Sequence, residues 1–173
     1  MDFPCDRYLL VHDEALFRAI TVAAPAPLLF RWLCQLRVAP YSYDWLDNFG
    51  RRSPRQLRAG LDSLAVGQKV MTIFDLVAFE RPRHLTLRTR ASRIFGQYAV
   101  TYMILPIAAQ RSRLVVKLLV ALPRFAPLSF AIHRLGPLAD LIMMRKQLLT
   151  LKRLAERDAH TSDAAVGCER GAV

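Results

Sequence analysis

From Lys69 to Val120 the chain alternates apolar and polar positions in four stretches. Val70, Thr72, Phe74 and Leu76 lie out of step with Lys69, Met71, Ile73 and Asp75. Leu85, Leu87 and Thr89 lie out of step with Thr86, Arg88 and Arg90. Tyr98, Val100, Tyr102 and Ile104 alternate with Gln97, Ala99, Thr101 and Met103, and Leu114, Val116, Leu118 and Val120 with Val115, Lys117 and Leu119. A period of two sends successive side chains to opposite faces of a strand. The pattern predicts an antiparallel sheet with one protected face and one wetter face. The links at Glu80–Arg83 and Ala108–Ser112 are short, so hairpins and a meander are expected. Leu16–Ala23 reads as an earlier strand.

The period then changes. From Leu135 to Arg157, Leu138, Leu141, Met144, Leu148, Leu151 and Ala155 recur every three or four residues. They share one face of a long closing helix, and Arg145, Lys146, Lys152, Arg153, Glu156 and Arg157 occupy the rest. Two shorter helices are expected after the first strand. Ala26–Leu36 begins beside Pro25 and Pro27 and aligns Leu29, Trp32, Leu33 and Leu36. Ser53-Pro54 reads as a cap and first turn, with Leu57, Leu61 and Leu64 following and Gly67 as the stop. Between them, Arg37–Gly50 is rich in aromatic and turn residues. Strands gathered between helices, rather than alternating with them, indicate the α+β class. Residues 1–158 are expected to form a single domain. Residues 159–173 lack periodicity and are expected to be a disordered C-terminal tail.

Composition adds a surplus and a sign. Hydrophobic residues make up 53% of the 173, more than one core requires, which suggests an apolar cavity or contact with lipid. No apolar run reaches the roughly 18–20 residues that span a bilayer. Pro123, Arg124 and Pro127 interrupt the nearest one, Leu118–Ile132. That segment is read as a cover for a cavity mouth, with a membrane-interface dip as the alternative. The first residues lack the pattern of a secretory signal, so a cytoplasmic location is expected. The three cysteines form no CxxC pair, and free thiols are expected. The net charge of +11 favours anionic partners.

The order of elements resembles the START/polyketide-cyclase-like superfamily (SRPBCC, the helix-grip fold), over about residues 14–157. The residues that carry the likeness to bacterial members are Ala24-Pro25-Ala26, Trp32-Leu33-x-Gln35-Leu36 and Tyr41-Ser42-Tyr43-Asp44-Trp45. Leu64-x-x-Gly67, Met143-Met144-Arg145-x-Gln147-Leu148 and Leu151-Lys152-x-Leu154-Ala155-Glu156 add to it. The resemblance implies a curved antiparallel sheet wrapped around the C-terminal helix, with an apolar cavity between them. It further implies a hydrophobic ligand, lipid, sterol-like or polyketide-like, or a cyclase, dehydratase or hydrolase reaction on one.

Chemistry that needs a motif finds none here. The four histidines neighbour no nucleophile signature, His/Cys/Asp/Glu clusters at metal spacing are missing, and no glycine-rich phosphate loop occurs. No cofactor or metal is expected, and binding is the leading expectation over catalysis. The best candidate site is Tyr41, Tyr43, Asp44 and Trp45, whose phenols and carboxylate could orient a ligand oxygen or move a proton. The competing reading is a structural lid. Tyr98 and Tyr102, which share a strand face, with Phe74 and Leu118, would line the sheet side of the cavity, and Met144 and Leu148 the helix side. Arg51, Arg52, Arg55 and Arg58 form a candidate anionic-surface contact, which makes a peripheral anionic-membrane or partner-binding module the third reading. Nucleic acid is not expected, because base-stacking aromatics do not interleave with the arginines.

Overall fold

The computed structural model describes residues 2–42, 52–71, 73–90, 96–122 and 141–161. Six antiparallel strands form one curved sheet: β1 (Glu14–Val22), β2 (Lys69–Val70), β3 (Phe74–Glu80), β4 (His84–Thr89), β5 (Gln97–Ala108) and β6 (Arg111–Ala121). Their order in space is β1-β6-β5-β4-β3-β2. β2 to β6 therefore run as a meander, and β1 closes the far edge against β6, from Glu14 opposite Val120 to Val22 opposite Ser112. Helix α1 (Ala26–Cys34) follows β1, and a turn of 3-10 helix at Gln35–Arg37 extends it. Residues 141–161 form the C-terminal helix α2. The class is α+β, with the helix-grip arrangement.

Alternation decides what each sheet face touches. Leu85, Leu87, Val100, Tyr102, Ile104, Leu114 and Val116 face the helices and bury against Trp32, Leu33, Leu148, Leu151 and Leu154. Each large apolar side chain buried this way contributes about 1.5–3 kcal/mol. The opposite face is not left wet. The N-terminal residues, without a legible period, place Phe3, Cys5 and Leu9 over Ala99 and Leu119. The Cys5 amide donates to Thr101 Oγ1 at 3.0 Å, and Thr101 pairs with Thr86 at 3.0 Å, so two buried threonines are satisfied. Lys117 Nζ meets Asp6 at 2.5 Å and lies over the rings of Phe3 and Phe17 at 5.5 and 5.3 Å.

Two local expectations are corrected. The alternation from Lys69 to Leu76 is not one strand but a tight hairpin, with Val70 opposite Phe74 and Lys69 opposite Asp75. Met71 takes a positive φ of 48° to turn the chain. Alternation survives a reversal, so periodicity alone could not expose it. The helix expected from Ser53 does not form, and residues 52–68 run as turns and bends. Its N-terminal end would gather Arg52, Arg55 and Arg58 near the positive end of a helix dipole. Gly60 takes a left-handed φ of 78°. Side chains from the α1 region take up the backbone groups instead. The Gln35 amide donates to Arg58 O, and Gln35 Oε1 accepts from Arg58 N. Arg37 Nη1 donates to the carbonyls of Gly60, Leu61 and Ser63.

Candidate functional site

The seam between sheet and α2 is organised by Gln147, the glutamine of the Arg-x-Gln-Leu stretch. Tyr102 Oη donates to Gln147 Oε1 at 2.7 Å, and Gln147 Nε2 donates to Pro40 O at 2.6 Å. A longer contact runs from Nε2 to Met71 Sδ at 3.5 Å. One buried amide thus joins β5, α2, the chain after α1 and the β2–β3 turn. Residue 41 comes next. Tyr41 is buried, sits at a positive φ of 58° and packs edge-on against Trp32, ring centres 6.0 Å apart. A bulky residue in the left-handed region costs about 1–3 kcal/mol. Trp32 is anchored in turn, because its Nε1 donates to Asp158 Oδ2 at 3.2 Å.

A pocket of about 360 Å³ opens beside this seam. Tyr41, Ser42, Ser53, Pro54 and Arg55 form one wall, and Lys146, Thr150, Arg153, Leu154 and Arg157 of α2 form the other. The helix residues stand at spacings of four, three and four, plus Leu154, so they line one stripe about 16 Å long. The described lining carries four cations and no carboxylate. Arg153 and Arg157 are like charges one turn apart, an arrangement that destabilises a helix by about 0.2–0.5 kcal/mol. Arg157 is partly answered: its Nε and Nη2 donate to Asp158 Oδ1 at 2.9 and 2.7 Å, and Nη2 also reaches Arg55 O at 2.7 Å. The last bond fastens the two walls together. Thr150 donates to Lys146 O at 2.8 Å, so its hydroxyl proton is committed to the helix.

The other flank of α2 is built differently. Lys152 Nζ lies 2.9 Å from Glu156 and donates to Thr21 O at 2.7 Å. The Ala23 amide donates to Glu156 Oε1 at 2.8 Å. Burial opposes ionisation of Glu156, but the Ala23 amide and the Lys152 ammonium outweigh it, and the carboxyl is held below its usual range.

Of the expected site residues, Tyr41 and Arg55 lie in this pocket. Tyr102 and Leu148 are buried in the seam, while Phe74, Leu118 and Met144 are half-buried against the same core. Tyr98 is half-buried, and burial pushes its phenol pKa up. Arg52 and Arg58 are exposed outside the pocket lining. Tyr43, Asp44, Trp45 and Arg51 lie outside the described residues, as do 123–132 of the expected cavity cover and 162–173 of the expected tail. Sequence reading missed Ser42, Ser53, Lys146, Thr150, Arg153 and Arg157 as lining. Their signal lies in the cationic 146/153/157 stripe, which the helix pattern assigns only to the side away from the apolar face. Among the described residues no group of three His, Cys, Asp or Glu could hold a metal, and no helix is long and apolar enough to cross a membrane. Burial, then Asp62, pushes the Cys34 thiol up to about 11, which leaves it a poor nucleophile.

No family model matches the chain, and no curated protein matches it. Solved structures do. A hypothetical protein from Helicobacter pylori is 13% identical with a TM-score of 0.57, covering 90% of this chain and 95% of that one. The di-domain aromatase/cyclase BexL from the BE-7585A biosynthetic pathway is 15% identical with a TM-score of 0.53. That match covers 83% of this chain and 47% of BexL, about half its length. The Zhui aromatase/cyclase from Streptomyces sp. R1128 is 14% identical with a TM-score of 0.50, covering 85% and 93%. At these identities the likeness is one of fold: this chain shares the helix-grip architecture of these solved aromatase/cyclases.

Proposed function

We propose that this protein binds a small organic molecule in the pocket between α2 and the Tyr41–Ser42 and Ser53–Arg55 segments. The observation that carries the reading is the pocket itself. Its volume of about 360 Å³ falls in the range of about 300–1,000 Å³ typical of small-molecule sites. Tyr41, Pro54 and Leu154 supply apolar surface, and the cations and hydroxyls supply orientation. The Tyr41 backbone, held off its preferred conformation by Trp32 and by the Gln147 bond to Pro40, has the character of a pre-organised wall. The fold shared with aromatase/cyclases supports a polyketide-like, partly aromatic ligand. Tyr102 directs its phenol proton to Gln147, which favours binding over proton transfer by that residue. The cytoplasm and the single-domain layout of residues 1–158 belong to the same reading.

Native mass spectrometry and isothermal titration with a panel of aromatic and polyketide-like compounds test it. The expected result is saturable one-to-one binding that Leu154→Arg abolishes. Binding unchanged in that variant would move the site elsewhere, and no binding across the panel would end the reading.

A further inference from the structure

We infer that the ligand of this pocket carries an anionic oxygen group, a phosphate, sulfate or carboxylate, docked between Arg153 of α2 and Arg55 of the facing wall. The inference rests on the small-molecule reading above and narrows it. Arg55 and Arg153 are both exposed and both line the pocket. Among the described residues neither guanidinium has a carboxylate partner, whereas Arg157 has Asp158 and Lys152 has Glu156. Lys146 and Arg157 stand on the same stripe of α2. Cations gathered in a concave site raise the local potential and draw anions in. The guanidinium fork matches the paired oxygens of phosphate and carboxylate, so an anion seated here is held by directional bonds as well as by charge. Arg157 sets the geometry: its bond to Arg55 O holds the second wall at a fixed distance from the helix. A pocket of about 360 Å³ suits a single soluble ligand better than it suits a flat lipid surface.

Two probes differing only in charge test the inference: 1-naphthyl phosphate and its neutral twin 1-naphthol, titrated calorimetrically against the full chain. The phosphate is expected to bind at least tenfold more tightly and to weaken as salt rises from 50 to 300 mM. Arg153→Gln and Arg55→Gln are each expected to weaken it about tenfold, the size of one charge-assisted contact, while Arg111→Gln at the distant β5–β6 turn leaves it unchanged. Circular dichroism verifies that each variant is folded. Equal affinity for both probes would overturn the anion inference and leave the small-molecule reading standing. Failure of both probes to bind would overturn both. Phosphate binding insensitive to Arg153 and Arg55 would overturn the site. Salt-sensitive flotation with phosphatidylglycerol vesicles, without preference for the soluble phosphate, would overturn it in favour of a membrane surface.

Discussion

The two flanks of α2 carry similar residues to different ends. On the β1 flank, Lys152 and Glu156 answer each other and the backbone of Thr21 and Ala23, so charge is used up in fastening helix to sheet. On the pocket flank, Arg153 lines the same pocket as Arg55 and has no carboxylate partner among the described residues, whereas Arg157 is balanced by Asp158. Charge is spent on anchoring along the β1 edge, while along the pocket edge like charges gather, and that difference is what the proposed binding site rests on.

Trp32 links the contrast to the core, and its removal gives the largest expected effect. Trp32→Ala should cost about 3–5 kcal/mol in denaturant unfolding, and it removes the indole donor to Asp158 and the ring against Tyr41. It should erase the difference between the flanks, since the pocket wall loses its support. Tyr102→Phe removes the hydroxyl from Gln147 Oε1 and should cost about 1–3 kcal/mol by the same measurement, with the fold kept. Glu156→Gln probes the anchored flank through pH. The folded carboxyl titrates below its unfolded value, so its contribution is complete above the unfolded pKa and is lost as pH falls through the folded one. Thermal melts of the wild type should therefore decline on acidification in that window more steeply than those of the variant. Arg153→Gln is the smallest perturbation to stability, within about 0.5 kcal/mol and towards stabilisation, because a like-charge pair disappears. A clear loss of stability there would show that the pocket flank is anchored after all.

The sequence made most of the scaffold legible, because sheet and helix faces repeat at fixed periods. Tyr98 and Tyr102 share a strand face, and Leu148 and Leu151 reach the core as their spacing requires. What stayed hidden depends on partners far along the chain. The hairpin at Met71 keeps the alternation of a straight strand, and nothing local marks the turn. The helix at Ser53 had a cap, a proline and apolar spacing, yet Gln35 and Arg37 offer its backbone better bonds from some 20 residues away. Gln147 was visible as a motif letter, but its role as the hub joining Tyr102, Pro40 and Met71 is a tertiary fact. The pocket was the least legible, since Arg55 of one wall and the arginines of the other are about a hundred residues apart.

The cover on the outer face of the sheet has a kinetic consequence. Cys5 bonds to Thr101, Asp6 pairs with Lys117, and all of β1 lies against β6. Residues 3–22 thus find their places only after residue 121 has been made. Until then the outer sides of Ala99 and Leu119 have nothing to lie against. Such a closure over more than ninety residues is paid in chain entropy before any contact rewards it. This end of the molecule should order late, and refolding followed by hydrogen exchange should find the Cys5 amide among the last protected.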